Sequence, residues 1–288
     1  MEMFLGIMFF ILGTCVGSFV NMLIYRTAVR YRITKNKFST RGGLRYASKI
    51  TNKNRSFCDY CGRQLRWYEN IPVISWLIQN GKTRCCQKKL PISYPLLELG
   101  TGILLLIFNS KFQIFDQFLI FNFKNVIGWG AGMVIITMLV FAAVFDAKYM
   151  ILPDFSTYIL VFCALFVGQR ILSVGQPQGL PLRVLSAAGG AAFLGILYLL
   201  TKGKGMGLGD VKLAIFMGLF LGWPKIVVAF YVAFIAGAVV GIILMAMGKI
   251  KKGKTMIPFG PFLILGVMVA WWWGEGIISN FQFLIFNF

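Results

Sequence analysis

Histidine does not occur anywhere in the 288 residues of this sequence. Its absence excludes Ser–His and Cys–His catalysis, zinc sites with histidine ligands, and the H-E-x-x-H metalloprotease motif. Any hydrolytic chemistry must therefore depend on carboxylates, lysines, thiols or hydroxyl groups.

Charged residues are scarce, at 13% of the chain, whereas a soluble domain has about 25%. Long uncharged runs take their place, and we expect an all-α polytopic membrane protein. Eight candidate spans cover residues 3–25, 96–110, 125–145, 155–173, 183–201, 211–222, 226–247 and 257–279. The sixth is short, about 18 Å against a hydrocarbon core of about 30 Å, so it is either a half-helix or a helix entered from within the membrane.

Acidic residues are the scarcer charge, nine against 29 lysines and arginines. The first span is preceded by Glu2 and followed by basic residues from Arg26 onward, the reverse of a secretory signal. An uncleaved first helix with both chain termini outside places 24 of the 29 basic residues in cytoplasmic segments. We expect a first transmembrane helix (1–25), a basic cytoplasmic domain (26–95) and a transmembrane core (96–288).

The segment 26–95 carries 16 basic residues and two acidic ones. A soluble domain with this balance would suggest nucleic acid as the partner. Next to membrane spans, the positive-inside rule and anionic lipid explain the charge better. We therefore expect the lipid bilayer as the partner and no nucleic acid.

Four cysteines of this segment form a candidate zinc site. Cys58 and Cys61 are separated by two residues, and Cys85 and Cys86 follow after a 23-residue gap. Thiols in a reducing compartment favour metal over disulfides, and a short basic loop needs such a stabilising centre. The second pair is irregular, because Thr83 stands where a C-x-x-C partner of Cys86 would be. The alternative is a folded loop with free thiols.

Two aspartates stand at predicted membrane boundaries. Asp146 ends the third span in "VFDAKYMILPD", and Asp210 begins the sixth in "GLGDVKL". The predicted topology puts both at the cytoplasmic face, where two carboxylates can share one proton. Such a pair can activate water with its ionised member and protonate the scissile group with the other. The alternative is that Asp210 only caps a helix.

Residues around the aspartates form a candidate supporting loop. Gly207 and Gly209 leave room for a substrate backbone, and Asp154 follows a proline at a good helix-capping position. Lys212 lies two residues after Asp210, a spacing that does not favour direct pairing on a helix.

Several ordered motifs together give the chain its resemblance to a known family. These are "GSFVNMLIYR", "SFCDYCGRQLRWYENIPVISWL" followed by "ISYPLLELGTG", "FDAKYMILPD" and "GLGDVKLAIFMG". Over almost its whole length the chain resembles the type IV prepilin peptidases, which are bifunctional leader peptidases and N-methyltransferases. The family's G-x-G-D aspartates match Asp146 and Asp210. Its four cysteines match Cys58, Cys61 and Cys86, with Thr83 in the fourth place and Cys85 as the candidate substitute.

The resemblance implies an aspartic peptidase of the bacterial inner membrane. It would remove the basic leader of prepilins or pseudopilins after a glycine, on the cytoplasmic side. It would then methylate the new N-terminus with S-adenosylmethionine. Glu69 and Glu98 are candidates for contacting the substrate or assisting methyl transfer.

Three other interpretations stay open from the residues alone. The protein could be a peptidase that has lost methylation, a transporter whose aspartates bind cations, or a scaffold with a zinc loop. The clustering of the motifs at one predicted face favours an enzyme over a transporter, which would place broken helices at the bilayer midplane.

Overall fold

A computed structural model describes residues 2–31, 56, 58, 60–112, 123–167, 179–203, 205–248 and 257–286. Within these ranges the regular structure is helical, without β-strands, apart from an isolated antiparallel bridge between Lys82 and Lys89. The described α-helices are α1 (Glu2–Arg30), α2 (Ile74–Ile78), α3 (Ser93–Phe112), α4 (Phe123–Tyr149), α5 (Asp154–Val167), α6 (Leu180–Leu200), α7 (Leu208–Leu221), α8 (Lys225–Ala246) and α9 (Gly260–Phe286).

The prediction of an all-α polytopic membrane protein is confirmed. Five described helices are long and apolar enough to cross a membrane, at 6–30, 130–149, 180–200, 225–246 and 260–280. Each of the eight predicted spans coincides with a helix, and α7 has only 14 residues, as the short sixth span predicted. Three parts of the predictions lie outside the described residues: half of the basic charges of 26–95, in residues 32–55; the end of the fourth span, at 168–173; and most of the basic segment 248–256.

The chain divides into two compact units, residues 1–123 and 124–288. In the first unit, α1 and α3 pack closely because small residues face each other. A methyl group built on Gly13 would come within 2.7 Å of the Gly102 Cα, and one on Gly17 would overlap Thr101 Oγ1. Small residues at such crossings let helix backbones approach where the lipid supplies no hydrophobic drive. The cysteine loop and α2 belong to this unit.

In the second unit, α7 is the most enclosed helix. Nine of its 14 residues are buried, and it packs against α5, α6, α8 and α9. A Cβ on Gly218 would overlap the backbone of Ala187, so α6 and α7 touch almost backbone to backbone. Beyond its first turns α7 is apolar on all sides, as is typical of a helix in the core of a bundle or in a membrane.

The carboxyl end of α7 is held by a buried cation. Arg183 is only 4% exposed, and its Nη1 donates to the carbonyl oxygens of Leu219 (3.2 Å) and Phe220 (3.3 Å). The last carbonyls of a helix have no partner within the helix, and lipid cannot supply one. Arg183 therefore lets a short helix end inside the bundle.

Candidate active site

Asp146 lies in the last turn of α4 with its side chain buried, at 6% exposure. Its Oδ2 accepts a hydrogen bond of 3.0 Å from the backbone N–H of Gly260, the first residue of α9. The first N–H groups of a helix lack partners within the helix and carry partial positive charge. The carboxylate thus occupies the N-terminus of a helix 114 residues away.

Asp210 lies in the first turn of α7 and is 5% exposed. Its Oδ2 accepts a hydrogen bond of 3.2 Å from the backbone N–H of Gly207. An acid at the third helical position that bonds back to the capping residue is one half of a capping box. Asp210 therefore caps the helix and is also a buried carboxylate. Its capping role does not exclude its membership of the aspartate pair.

The two carboxylates are close enough for their negative charges to repel each other. Each is buried, each is fixed by one backbone N–H at a helix N-terminus, and both belong to the second unit. A close pair of this kind can hold one proton between its two members. Because the pair titrates as a unit, neither member is assigned as the acid or the base. The structure brings the predicted pair together.

The two glycines of the supporting loop have different surroundings. A Cβ on Gly209 would lie 2.7 Å from the Cβ of Leu152, so this glycine is required by packing against the segment after α4. A Cβ on Gly207 would meet nothing nearer than 3.8 Å. The open space assigned to both glycines from the sequence is found only at Gly207.

Asp154 and Lys212 form an ion pair between the start of α5 and the first turns of α7, with Nζ 2.5 Å from Oδ1. Both side chains are well exposed, at 53% and 39%. The spacing argument expected no direct pairing of Lys212 with Asp210 on one helix, and this stays a prediction. The ion pair joins Lys212 to a residue of another helix, 58 positions away in the chain.

The four cysteines of the first unit form a cluster. Their sulfur atoms all lie within 4.8 Å of one another, with Cys58 3.8 Å and Cys85 3.9 Å from the Sγ of Cys86. Two ligands of a tetrahedral zinc site with Zn–S bonds of about 2.3 Å lie about 3.8 Å apart. The shortest separation is 3.1 Å, between Cys61 and Cys85. The cluster can hold a metal ion, and Cys85 contributes to it although it directly precedes Cys86.

Thr83 lies beside the cluster. The Lys88 N–H donates to Thr83 Oγ1 at 3.1 Å, which leaves the threonine hydroxyl hydrogen for Cys86 Sγ, also at 3.1 Å. This hydrogen bond lowers the pKa of Cys86 to about 7. Burial raises the pKa of Cys58, and burial together with the neighbouring thiols raises the pKa of Cys85 to about 12. Thr83 thus stabilises the thiolate form of Cys86, although it has no thiol with which to bind a metal itself.

Glu69 and Glu98 both line one cavity of the first unit. Glu98 is 8% exposed, and its Oε2 accepts the Val73 N–H at 2.7 Å. Glu69 Oε2 accepts the Arg66 N–H at 2.7 Å. The sequence named both glutamates but gave no reason to expect them around the same space.

Sequence reasoning did not find Gly260, which orients Asp146. No local pattern signals this contact, since an N–H at a helix start carries no sequence signature. The "PFGPF" stretch around it marks only a turn before a helix.

Helices that cross a membrane, a buried aspartate pair and a separate cysteine cluster define a polytopic membrane protein with the constellation of an aspartic hydrolase. Comparison with known proteins narrows this class. Residues 11–112 match the bacterial Peptidase A24 N-terminal domain, and residues 133–242 match the type IV leader peptidase family. No solved structure matches the chain.

Three relatives that match most of the chain share one name. The chain is 32% identical to the prepilin leader peptidase/N-methyltransferase of Stutzerimonas stutzeri, covering 94% of this chain and 91% of the relative. The Pseudomonas aeruginosa protein of that name is 30% identical over the same shares, and that of Bacillus subtilis is 31% identical over 78% and 84%. The chain belongs to the prepilin leader peptidase/N-methyltransferase family.

Proposed function

We propose that the protein cleaves the basic leader from prepilins or pseudopilins after a glycine, at the cytoplasmic face of the bacterial inner membrane, and then methylates the new N-terminus. The observation that carries the peptidase half is the pair of buried carboxylates Asp146 and Asp210, each held by a backbone N–H at a helix start. The chain has no histidine to supply another catalytic base. The family relationship supports the methyl-transfer half.

In the proposed cleavage, a water molecule attacks the scissile carbonyl carbon while the ionised carboxylate takes one of its protons. The protonated carboxylate donates its proton to the carbonyl oxygen. The tetrahedral intermediate then loses its C–N bond: the leaving amine receives a proton from one carboxyl group, and a hydroxyl proton of the intermediate returns to the other carboxylate, so that the pair again holds one proton. The N–H groups of Gly207 and Gly260 hold one oxygen of each carboxylate, which leaves the other oxygens for water and substrate.

The proposed topology puts both chain termini outside and the basic segment 26–95 in the cytoplasm. The apolar helix of a prepilin would lie in the bilayer, with its basic leader at the cytoplasmic face. A segment of charge +14 does not attract that leader. The aspartate pair and the glutamates Glu69 and Glu98 are candidates for attracting it locally.

The cysteine cluster supports a structural zinc ion held by Cys58, Cys61, Cys85 and Cys86, because the four sulfur atoms lie within 4.8 Å of one another and the separations of 3.8 and 3.9 Å from Cys86 match a tetrahedral site. Bound zinc would cross-link the loop around the cysteines, which has little apolar core of its own. Thr83 then acts through Cys86, whose thiolate it stabilises.

When bound, S-adenosylmethionine supplies an electrophilic methyl group to the new terminal amine. The protein's own task is to bind the cofactor and to exclude water from it. Glu69 and Glu98 are the candidates for contacting its cationic part.

The test is cleavage of a prepilin by Asp146→Asn and Asp210→Asn variants, purified in detergent and followed by mass spectrometry. Asparagine keeps an oxygen that can accept the glycine N–H, so the fold should survive. Each variant should lose at least about 100-fold in rate, since a positioned acid or base contributes that much. Glu275→Gln is the matched control. It also replaces a carboxylate by an amide, but Glu275 is exposed, pairs with Lys225 and does not belong to the proposed aspartate pair.

The same spectra report methylation as a single added methyl group when the cofactor is present. Full cleavage in either aspartate variant contradicts the proposed pair. If the cleaved pilin stays unmethylated, the protein is a peptidase without methyltransferase activity.

A further inference from the structure

The second unit contains four acidic residues, and they differ in how accessible they are: Asp146, Asp154, Asp210 and Glu275. The two members of the aspartate pair are buried, at 6% and 5% exposure. Glu275 is exposed but distant, because it lies about 22 Å along α9 from Gly260, the residue that contacts Asp146. Asp154 is the fourth, and its side chain is 53% exposed.

Asp154 lies beside the loop that carries Asp210. A Cβ on Gly209 would lie 2.7 Å from the Cβ of Leu152, so the segment before α5 touches the residue that precedes Asp210. Asp154 follows Leu152 by two residues, which span about 7 Å at most. Its carboxylate also contacts Lys212, in the first turns of α7. A cation held by Asp154 would therefore lie within a few residues of a peptide bond held by the aspartate pair.

The ion pair between Asp154 and Lys212 shows that this carboxylate holds an ammonium group. Lys212 Nζ is 2.5 Å from Asp154 Oδ1, and the two side chains are 39% and 53% exposed. An exposed ion pair contributes little to stability, because water screens it and two side chains must be ordered to form it. One ammonium group can therefore replace another here at little cost. The position of Lys212 Nζ is where the cationic group of a bound peptide would lie.

The glutamates of the first unit suit a basic peptide less well. Glu98 is only 8% exposed, and its Oε2 already accepts the Val73 N–H. Glu69 Oε2 accepts the Arg66 N–H, and Glu69 belongs to the segment 26–95, whose net charge of +14 repels a basic leader. Asp154 combines exposure with proximity to the aspartate pair.

We propose that Asp154 binds a basic residue of the leader, which replaces Lys212 in the ion pair when the prepilin binds. The inference rests on the proposed cleavage of a basic leader and adds the residue that recognises it. Without substrate, Lys212 occupies the carboxylate and therefore competes with the leader. Asp154 then holds the leader while the aspartate pair holds the scissile bond, and two such contacts fix which peptide bond is presented for cleavage.

The test is the kinetics of prepilin cleavage by the purified full-length protein, with KM and kcat measured separately. Asp154→Asn removes the charge but keeps a good capping side chain at the start of α5. It should raise KM about two- to fivefold, the value of one exposed ion pair. Lys212→Gln removes the competing cation and should lower KM by a similar factor. Both variants break the same ion pair, so a purely structural role would change KM in the same direction in both.

Prepilins whose basic leader residues are replaced by glutamine one at a time identify the partner of Asp154. Asp154→Asn should have no further effect on the prepilin that lacks this partner, as expected for two residues in contact. Asp154→Glu keeps the charge and should restore most of the affinity for the unchanged leader. The difference in KM between the unchanged protein and Asp154→Asn should also shrink as salt is raised, because salt screens exposed charges.

Glu275→Gln is again the matched control, because it breaks an exposed ion pair with Lys225 far from the aspartate pair. It should show the same KM as the unchanged protein with every leader. Melting temperatures establish that each variant is folded. If Asp154→Asn proves unfolded, the direction of the KM change in Lys212→Gln decides.

Three results would show that Asp154 does not bind the leader, while the peptidase function stands. These are KM changes of the same sign in Asp154→Asn and Lys212→Gln, an unchanged KM in both, or an effect of Asp154→Asn that is equal with every leader. If the unchanged protein cleaves no prepilin, the proposed function itself fails.

Discussion

The G-x-G-D loop offers a sharp test, because its two glycines have different neighbours. A methyl group added at Gly209 would meet the Cβ of Leu152 at 2.7 Å, a distance that real Cβ atoms essentially never show. That atom is attached directly to the backbone and cannot rotate away. The methyl of Gly207→Ala would have its nearest neighbour at 3.8 Å, an ordinary contact. Gly209→Ala must therefore displace the first turn of α7 or the segment before α5, whereas Gly207→Ala need not.

The loss of stability expected for Gly209→Ala is the balance of two opposing free-energy contributions. Overpacking costs about 1–3 kcal/mol, and alanine in place of glycine returns up to about 1 kcal/mol in a helix. The net destabilisation therefore lies between about 0 and 3 kcal/mol. Asp210 is the next residue, so the strain can shift its carboxylate away from the reacting position. Each 1.4 kcal/mol by which this raises the activation free energy lowers kcat/KM about tenfold. We expect Gly209→Ala to lose about tenfold and Gly207→Ala less than about threefold.

The assay is leader cleavage by purified protein, with the melting temperature measured in parallel. Combining Gly209→Ala with Leu152→Gly removes the opposing Cβ and should restore part of the lost activity, as expected for residues in contact. Equal behaviour of the two alanine variants, or a loss that Leu152→Gly does not relieve, would refute the packing argument. A loss confined to Gly207→Ala at unchanged stability would instead show that the leader lies on Gly207.

Three further predictions concern the other polar contacts. Cys85→Ser should lower the metal content measured by elemental analysis, whereas Cys163→Ser, in α5, should leave it unchanged; equal metal in both would remove Cys85 from the site. Lys212→Met should lower stability by less than about 1 kcal/mol, because its ion pair with Asp154 is exposed; a larger drop in thermal melting would contradict this. Arg183→Met should destabilise by about 1–3 kcal/mol in the same melting experiment, because two buried carbonyls lose their donor. An unchanged melting temperature would contradict the role of Arg183 at the end of α7.

The helices were predictable because hydrophobic runs are local. Each predicted span coincides with a helix whose start differs by a few residues at most, and the short sixth span is the 14-residue helix α7. The approach of Asp146 to Asp210 was also accessible, since topology alone put both at one face. Neither prediction required knowledge of how the helices pack.

The cysteines show where sequence reasoning weakened. The sequence named Cys85 and Cys86 as members of one candidate site, although the side chains of adjacent residues tend to diverge. In the structure both lie in a tight turn that ends at Gln87, whose φ of 55° is left-handed, and their sulfurs are 3.9 Å apart. The geometry of this turn brings the two sulfur atoms together, and rules based on sequence spacing contain no information about turn geometry.

The partner of Asp146 was beyond sequence reasoning, and it yields a last test. The Gly260 N–H reaches the carboxylate across 114 residues, and a Cβ at Gly260 would lie 2.7 Å from Asp146 Oδ2. Gly260→Ala keeps the N–H but crowds the carboxylate, so cleavage should fall about 5- to 150-fold for about 1–3 kcal/mol of overpacking. Gly276→Ala on the same helix meets open space and should cleave normally. If Gly260→Ala cleaves a prepilin as fast as Gly276→Ala, the orientation of Asp146 by this glycine does not govern the reaction.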